Sequence, residues 1–288
     1  MRFLVRHTTR YRYIQPASES VGELRLLPRD RPTQRVHRRE LRLKPSVPLL
    51  PYTDFFGNGV EAFSVYFRHD AFSVELELDV ETFAEPDLTE HALITVGEAR
   101  QIANSRALEL YPYLQASHHV PFEPVLRELR REFFRLDAPV GEAVVGLNTW
   151  IFKNFKYSPG ATEISTPIRE VWAKRAGVCQ DFAHVMLAVC RSAGVPARYV
   201  SGYIEPTDPD KEGEDLVGAV ATHAWVEVGL PGGVWLGLDP TNNQFAGERH
   251  IVLAVGRDYT DVAPVRGSFR GLRHQKLDVA VEVKRMSR

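Results

Sequence analysis

A cysteine, a histidine and an aspartate stand in this chain at spacings that suit nucleophilic catalysis. One of its two cysteines lies in Ala176-Gly177-Val178-Cys179-Gln180-Asp181-Phe182-Ala183-His184, just after a Gly-Val turn and at the start of an apolar helical pattern. A helix start offers unpaired N–H groups and a partial positive charge, and both stabilise a thiolate. Ten histidines are available, so position must select the partner. Thr222-His223-Ala224-Trp225-Val226-Glu227-Val228 reads as a strand, Leu230-Pro-Gly-Gly233 as a turn, and Val234-Trp-Leu-Gly-Leu-Asp239 as the return strand. Pairing Gly229 with Gly233 sets His223 directly opposite Asp239. Opposed residues share a face with Cβ atoms about 4.5–5.5 Å apart, close enough for a carboxylate to fix the imidazole tautomer.

That constellation implies covalent acyl transfer, with Cys179 as nucleophile, His223 as proton carrier and Asp239 as its orienter. The Cys179 backbone N–H is the first candidate oxyanion donor, because helix-start amides lack helical partners. Gln180, Tyr157, Trp172 and Trp225 are candidates for the rest of the oxyanion site and substrate cleft, and Trp235 joins the tryptophans that would line an acceptor channel. Cys190 lies eleven positions after Cys179, on the same helical face, and reads as core packing. Asp181 reads as a helix-start acid, His184 as a histidine satisfied inside the fold, and His118-His119 as a solvated loop pair. Metal-ligand spacing is lacking around the cysteines, so neither a metal nor another cofactor is expected.

The elements that would hold these residues fall into two styles. From Met1 to about Thr82 the pattern is β. Phe72, Val74, Leu76, Leu78 and Val80 alternate with polar residues, which predicts a strand with one wet face. Phe63, Val65 and Phe67 form a similar stripe, and His69-Asp70 between the two reads as a hairpin turn. Leu41 and Leu43 mark another strand, and residues 54–59 a turn. Helical patterns follow at 97–110, 123–136, 140–155 and 168–175, then from Val178 to the stop at Ala193-Gly194 and Pro196. Strands return at 198–204, 221–228, 234–239 and 277–283. Residues 205–215 hold six acids and one lysine. They read as a solvated loop ahead of the His223 strand, where they would favour basic substrates.

The fold class expected is therefore α+β: an amino-terminal antiparallel β-sandwich or barrel, then helices packed on an antiparallel sheet. The divisions are 1–85, a helical connecting segment 86–138, and a catalytic core 139–288 that includes the last strands. The 288 residues carry a formal charge of −1, with 44% apolar and 25% charged residues. This balance points to neither nucleic acid nor membrane as partner. With two cysteines and no apolar run of signal or membrane-spanning length, a cytoplasmic setting is expected.

At the catalytic residues the chain resembles the bacterial transglutaminase-like family of papain-like cysteine enzymes. The resemblance rests on Gly177-Val-Cys-Gln-Asp-Phe-Ala-His184, Gly194-Val-Pro-Ala-Arg-Tyr-Val-Ser-Gly-Tyr203, His223-Ala-Trp225 and Asp239-Pro-Thr241. Leu27-Pro-Arg29, Gln34-Arg-Val36, Asp54-Phe-Phe-Gly-Asn58 and the tail Gly256-Arg-Asp-Tyr-Thr-Asp-Val262 extend it across nearly the whole chain. It implies a papain-like core, a Cys179, His223, Asp239 triad, and a thioester formed with a glutamine side chain or peptide carbonyl of a protein or peptide substrate. Nothing resembles a calcium loop, so no metal dependence of the animal type is expected. Hydrolysis, as a cysteine protease or amidase, is the favoured outcome. Transfer to an amine, as a protein-glutamine gamma-glutamyltransferase, is the alternative, and a catalytically idle binding or scaffold protein is the third reading.

Overall fold

The computed structural model of the protein describes residues 1–206, 221–272 and 274–286. Six strands come first: β1 (Arg2–Ala17), β2 (Glu19–Leu24), β3 (Gln34–Lys44), β4 (Leu49–Thr53), β5 (Gly59–Val65) and β6 (His69–Thr82). Helices follow as α1 (Thr89–Leu93), α2 (Val96–Ser105), α3 (Ala107–Leu110), α4 (Arg127–Phe133) and α5 (Val140–Asn154). Next come β7 (Lys156–Tyr157), α6 (Ile168–Lys174), β8 (Ala176–Gly177) and α7 (Cys179–Ser192). The chain closes with β9 (Ala197–Ile204), β10 (His223–Gly229), β11 (Trp235–Asp239), β12 (Gln244–Phe245), β13 (His250–Gly256), α8 (Tyr259–Val262), β14 (Val265–Arg270) and β15 (Gln275–Arg285).

Alternation builds the sandwich. Phe72, Val74, Leu76, Leu78 and Val80 of β6 are all buried, each contributing about 2 kcal/mol of transfer free energy. They belong to the sheet ordered β15-β1-β6-β3, which faces a second sheet ordered β14-β2-β5-β4. β5 and β6 therefore lie in different sheets, and the link between them is a crossover, not the expected hairpin. Alternation tells which face is buried but not against what. Here the two stripes meet across the core, with Phe63 stacked on Phe72 at 4.5 Å. The wet face of the first sheet is laced with ion pairs such as Arg2–Asp79 and Lys44–Glu75. Exposed pairs of this kind contribute at most about 1 kcal/mol each, so the apolar face decides the packing.

The last two strands, expected with the catalytic core, complete the sandwich instead. β15 pairs with β1 from Phe3↔Arg285 to Tyr13↔Gln275, and β14 pairs with β2. β15 read as a core strand because its apolar stripe is clear, yet Leu277 and Val279 are half exposed and only its far end, at Val283, is buried. Among the helices, 97–110 breaks at Arg106, whose φ of −107° leaves the helical region between α2 and α3. The α1 helix was not anticipated.

The core sheet runs β12-β11-β10-β9-β13, antiparallel throughout. One face carries Ala224, Val226 and Val228 into the cluster around α7. The other packs Tyr203, Ile251 and Leu253 into the sandwich core. With both faces covered, the central strands β9 and β10 are buried at nearly every position. The β13 edge is closed by two amide side chains from the amino-terminal half. Gln34 bonds both N and O of Val252, at 2.8 and 3.0 Å, where the β13–β9 register shifts. Asn58 does the same for Val255, at 2.8 Å each. An edge strand whose backbone groups are satisfied in this way cannot template another chain.

Glu205, the first residue of the acidic stretch, is buried and paired with Arg249 and Arg285 rather than solvated. Residues 207–215 of that stretch lie outside the described residues. Among the described residues no helix is long and apolar enough to cross a membrane.

Candidate active site

Cys179 is the first residue of α7, and the path into it is tightly specified. α6 ends at Arg175 in the left-handed region, φ 49°. β8 then runs parallel to β7, pairing Gly177 with Tyr157. Val178 is extended, and its N–H donates to Asp181 Oδ2 at 2.8 Å, with Thr162 Oγ1 donating to the same oxygen at 2.6 Å. Asp181 is thus the helix-start acid its position implied. Gly177 has to be glycine: a Cβ there would meet Asp181 Oδ2 at 2.4 Å. Behind Cys179, α7 is buried on almost every side from Phe182 to Arg191, which fixes the sulfur against the sheet.

His223 opens β10 and Asp239 closes β11. The observed register pairs Gly229 with Trp235 and Val226 with Leu238, two residues away from the register expected from the turn. The Gly232-Gly233 pair, both at positive φ, lies inside a wider turn closed by Leu230 N–H donating to Val234 O at 2.9 Å. A slip of two keeps every side chain on its face, whereas a slip of one would have reversed them. His223 and Asp239 consequently meet as diagonal neighbours, with His223 Nε2 2.8 Å from Asp239 Oδ2 and both side chains fully buried.

Asp239 accepts from a ring of donors. Thr241 N and Asn242 N reach Oδ1 at 2.9 and 3.3 Å. Asn242 Nδ2 reaches Oδ2 at 2.8 Å and His250 Nε2 at 3.5 Å, beside His223. Burial alone would favour the neutral acid, but the charge and hydrogen bonds of His223, then of His250, hold the carboxyl far below its usual range. For His223, burial opposes the imidazolium. The Asp239 charge and hydrogen bond, and then the Cys179 side chain, overcome that and raise it to about 10. Since Nε2 is engaged by Asp239, the nitrogen left for Cys179 is Nδ1, which is buried and makes no hydrogen bond. His223, Asp239 and His250 offer ligand atoms within 4.8 Å of one another. The donors around Asp239 already fill the roughly four lone-pair directions of a carboxylate, so the trio fits a hydrogen-bonded relay and not a metal cage.

The other candidates separate. Tyr157 pairs with Gly177, two residues before Cys179, and burial, then the Cys179 charge, push its phenol up to about 12, so it remains a donor. Gln180 is half-buried and its amide donates to Ile164 O at 3.3 Å, on the rim. Trp172 has its face covered by the Arg175 guanidinium at 3.4 Å and stacks on Trp150. Trp225 is only 1% exposed and stands behind His223 and His250. Trp225 and Trp235 line a cavity of about 570 Å³ on the sandwich side of the sheet, together with Arg31, Glu227 and His250. Cys179 does not line it, so this cavity is not an acceptor channel to the thiol. Cys190 is buried and its thiol pushed up to about 12 by that burial, as suits a packing residue. His184 accepts from Tyr259 N at 3.3 Å, satisfied inside the fold. Of the His118-His119 pair, His118 is exposed as expected, but His119 is half-buried: its ring stacks on His184 at 5.4 Å and its backbone N–H donates to Asp258.

Two residues at the site escaped sequence reasoning. Asn242 follows Asp239-Pro-Thr, where an Asx-type turn could have been suspected. His250 heads an apolar strand that was not anticipated at all, and only the fold brings it to Asp239.

The chain matches the Transglutaminase-like superfamily core over residues 127–240 and the Bacterial transglutaminase-like N-terminal region over residues 3–81. It is 34% identical to an uncharacterized protein of Mycobacterium leprae across 99% of each chain. A Mycobacterium tuberculosis relative is 35% identical across 98% of this chain and 92% of its own. A protein-glutamine gamma-glutamyltransferase of Pseudomonas aeruginosa is 33% identical over 135 residues, 42% of this chain and 20% of that one. The solved structure of a candidate cysteine protease from Cytophaga hutchinsonii has the same fold, with a TM-score of 0.79 at 23% identity over 99% of this chain and 90% of that chain. A core and an amino-terminal region that match in order, on relatives spanned end to end, make this chain a member of the transglutaminase-like superfamily.

Proposed function

We propose that the protein is a thiol hydrolase that cleaves an amide bond of a peptide or protein through a thioester on Cys179. The observation that carries this reading is the sealed His223–Asp239 pair, whose remaining imidazole nitrogen has the Cys179 side chain as its neighbour. In the resting pair the proton already lies on His223 Nδ1 as the imidazolium, and in the first half-reaction the Cys179 thiolate Sγ attacks the carbonyl carbon. The oxyanion is received by the Cys179 backbone N–H and the Tyr157 hydroxyl. The amine leaves with the proton from His223. In the second half, water replaces the amine, His223 takes its proton, and the acid departs from Sγ. Asp239 keeps Nε2 protonated and balances the imidazolium throughout.

Water as acceptor is supported by the rim beside Cys179. Glu163, Ile164 and Ser165 are exposed, and Tyr157, Thr162 and Gln180 are half-buried, so among the described residues solvent reaches the rim beside the buried Cys179. The Pseudomonas relative favours a second reading, in which an amine accepts the acyl group. One experiment separates them: a peptide library is incubated with the protein and a primary amine, and products are read by mass. Cleavage or deamidation without amine incorporation supports hydrolysis. Incorporation in excess of hydrolysis moves the assignment to transfer, and absence of both with wild-type protein removes the enzymatic reading.

A further inference from the structure

His250 belongs to neither the expected triad nor the apolar core, yet it is buried at the carboxylate. It opens β13, where it pairs with Ile204 of β9. Its Nδ1 accepts the Gly247 N–H at 3.3 Å, so its ring proton sits on Nε2. That Nε2 points at Asp239 Oδ2, 3.5 Å away, the longest contact in the ring of donors. Trp225 meets the His250 ring edge-on at 5.1 Å and lies nearly parallel to His223 at 6.1 Å. The carboxylate oxygen that orients His223 is therefore shared with a second histidine of fixed tautomer.

We propose that His250 is a positioning residue: its Nε2–H holds Asp239 Oδ2 turned toward His223, and so keeps Nδ1 of His223 aimed at Cys179. The inference rests on the thiol-enzyme reading for its consequence, but not for its geometry. Among the described residues, the titratable and charged groups facing the cluster are Cys179 from α7, His223 from β10, Asp239 from β11, and Arg249, the residue just before β13. Burial pushes His250 itself down, which keeps it a neutral donor rather than a second cation competing for Asp239. Without the donor, Oδ2 keeps Asn242 Nδ2 and His223 but loses its third partner, so the carboxylate is held less firmly toward the imidazole and His223 loses part of its elevation.

Two substitutions separate the hydrogen bond from the packing. His250→Phe keeps a ring against Trp225 but has no donor. His250→Gln places an amide N–H near the Nε2 position but has no ring. In the full-length protein, the His223 imidazole is titrated by nitrogen-edited NMR, and Cys179 alkylation by iodoacetamide at pH 7 is followed by peptide mass. His250→Phe should lower the His223 titration by about one unit and slow alkylation on the order of tenfold, the equivalent of that unit. His250→Gln should stay within about twofold of wild type, since it loses only the ring contact and a one-unit shift would cost tenfold. A Phe variant matching wild type, a Gln variant behaving like Phe, or an upward shift of His223 would each overturn the positioning role. If wild-type Cys179 alkylates no faster than free glutathione, the thiol-enzyme reading fails, while the His223 titrations still decide the part played by His250.

Discussion

Asp239 Oδ2 lies 2.8 Å from His223 Nε2 inside a fully buried pair, and this leaves Nδ1 as the imidazole nitrogen without a hydrogen-bond partner. The polarity matters to the proposed mechanism because the Nε2 proton is committed to the carboxylate, so any proton exchanged with Cys179 must move through Nδ1. The helix start at Cys179 and the strand start at His223 are brought together by α7 packing on β9 and β10. The geometry therefore depends on the core more than on any loop.

Cys179→Ala should abolish covalent labelling and turnover while the fold persists, since alanine removes one atom from an already small side chain. Circular dichroism and thermal melting check the fold, and loss of folding would turn Cys179 into a packing residue. Asp239→Asn should lower kcat by about 10⁴ by analogy with other triads, with KM little changed. It should also cost about 3 kcal/mol of stability, because an amide NH₂ would face donors where a carboxylate now accepts. Unchanged turnover would remove Asp239 from the mechanism.

Tyr157→Phe tests the second oxyanion donor. Removing such a donor costs about 10²–10³ in kcat. The expected signature is a fall in kcat with KM and Cys179 alkylation both near wild type, because alkylation forms no oxyanion. A fall in alkylation instead would mean that Tyr157 supports the thiol and not the oxyanion.

Stability should peak near pH 6.5. His223 is held above its ordinary value, so its contribution is complete below 6.5 and is lost as pH rises through about 10. Burial depresses His7 to about 4 and His184 further, so the unfolded chain takes up protons first as pH falls below 6.5, and stability drops on that side too. Urea midpoints between pH 6.5 and 9, before buried Cys190 and the tyrosines enter, should decline in wild type. The decline should flatten in Asp239→Asn. Parallel curves would show that the pair does not raise His223.

Gly177→Ala forces a Cβ to 2.4 Å from Asp181 Oδ2, and the acid must swing away from Val178 N–H and Thr162. The lost cap should cost about 1–2 kcal/mol and slow Cys179 alkylation as the first turn of α7 loosens. Adding Asp181→Ala removes the 2.4 Å contact and leaves only the Cβ of residue 181, at 2.9 Å, while the cap is already lost, so the double variant should be no less stable than Gly177→Ala alone. A strictly additive double variant would place the effect of Gly177 elsewhere.

The helix start at Cys179 and the pairing of His223 with Asp239 were legible in the chain because each has a local cause. Cys179 follows a glycine that only a helix-start acid explains, and His223 and Asp239 flank a Gly-Gly turn on strands of period two. Parity survives an error of two in register, so the right pair emerged from the wrong pairing. The amino-terminal strands and α7 were legible for the same reason, as alternation and helical periodicity are local consequences of one buried face. What the chain could not announce is which buried face meets which. β5 and β6 look like a hairpin and lie in opposite sheets, and β14 and β15 follow the core in sequence but pair with β1 and β2. His250 reaches Asp239 only because β13 lands beside β9, a contact between distant segments with no trace in local pattern. Side-chain periodicity is set within a few residues, while sheet partners and the ring of donors around one carboxylate are chosen by the packing of the whole chain.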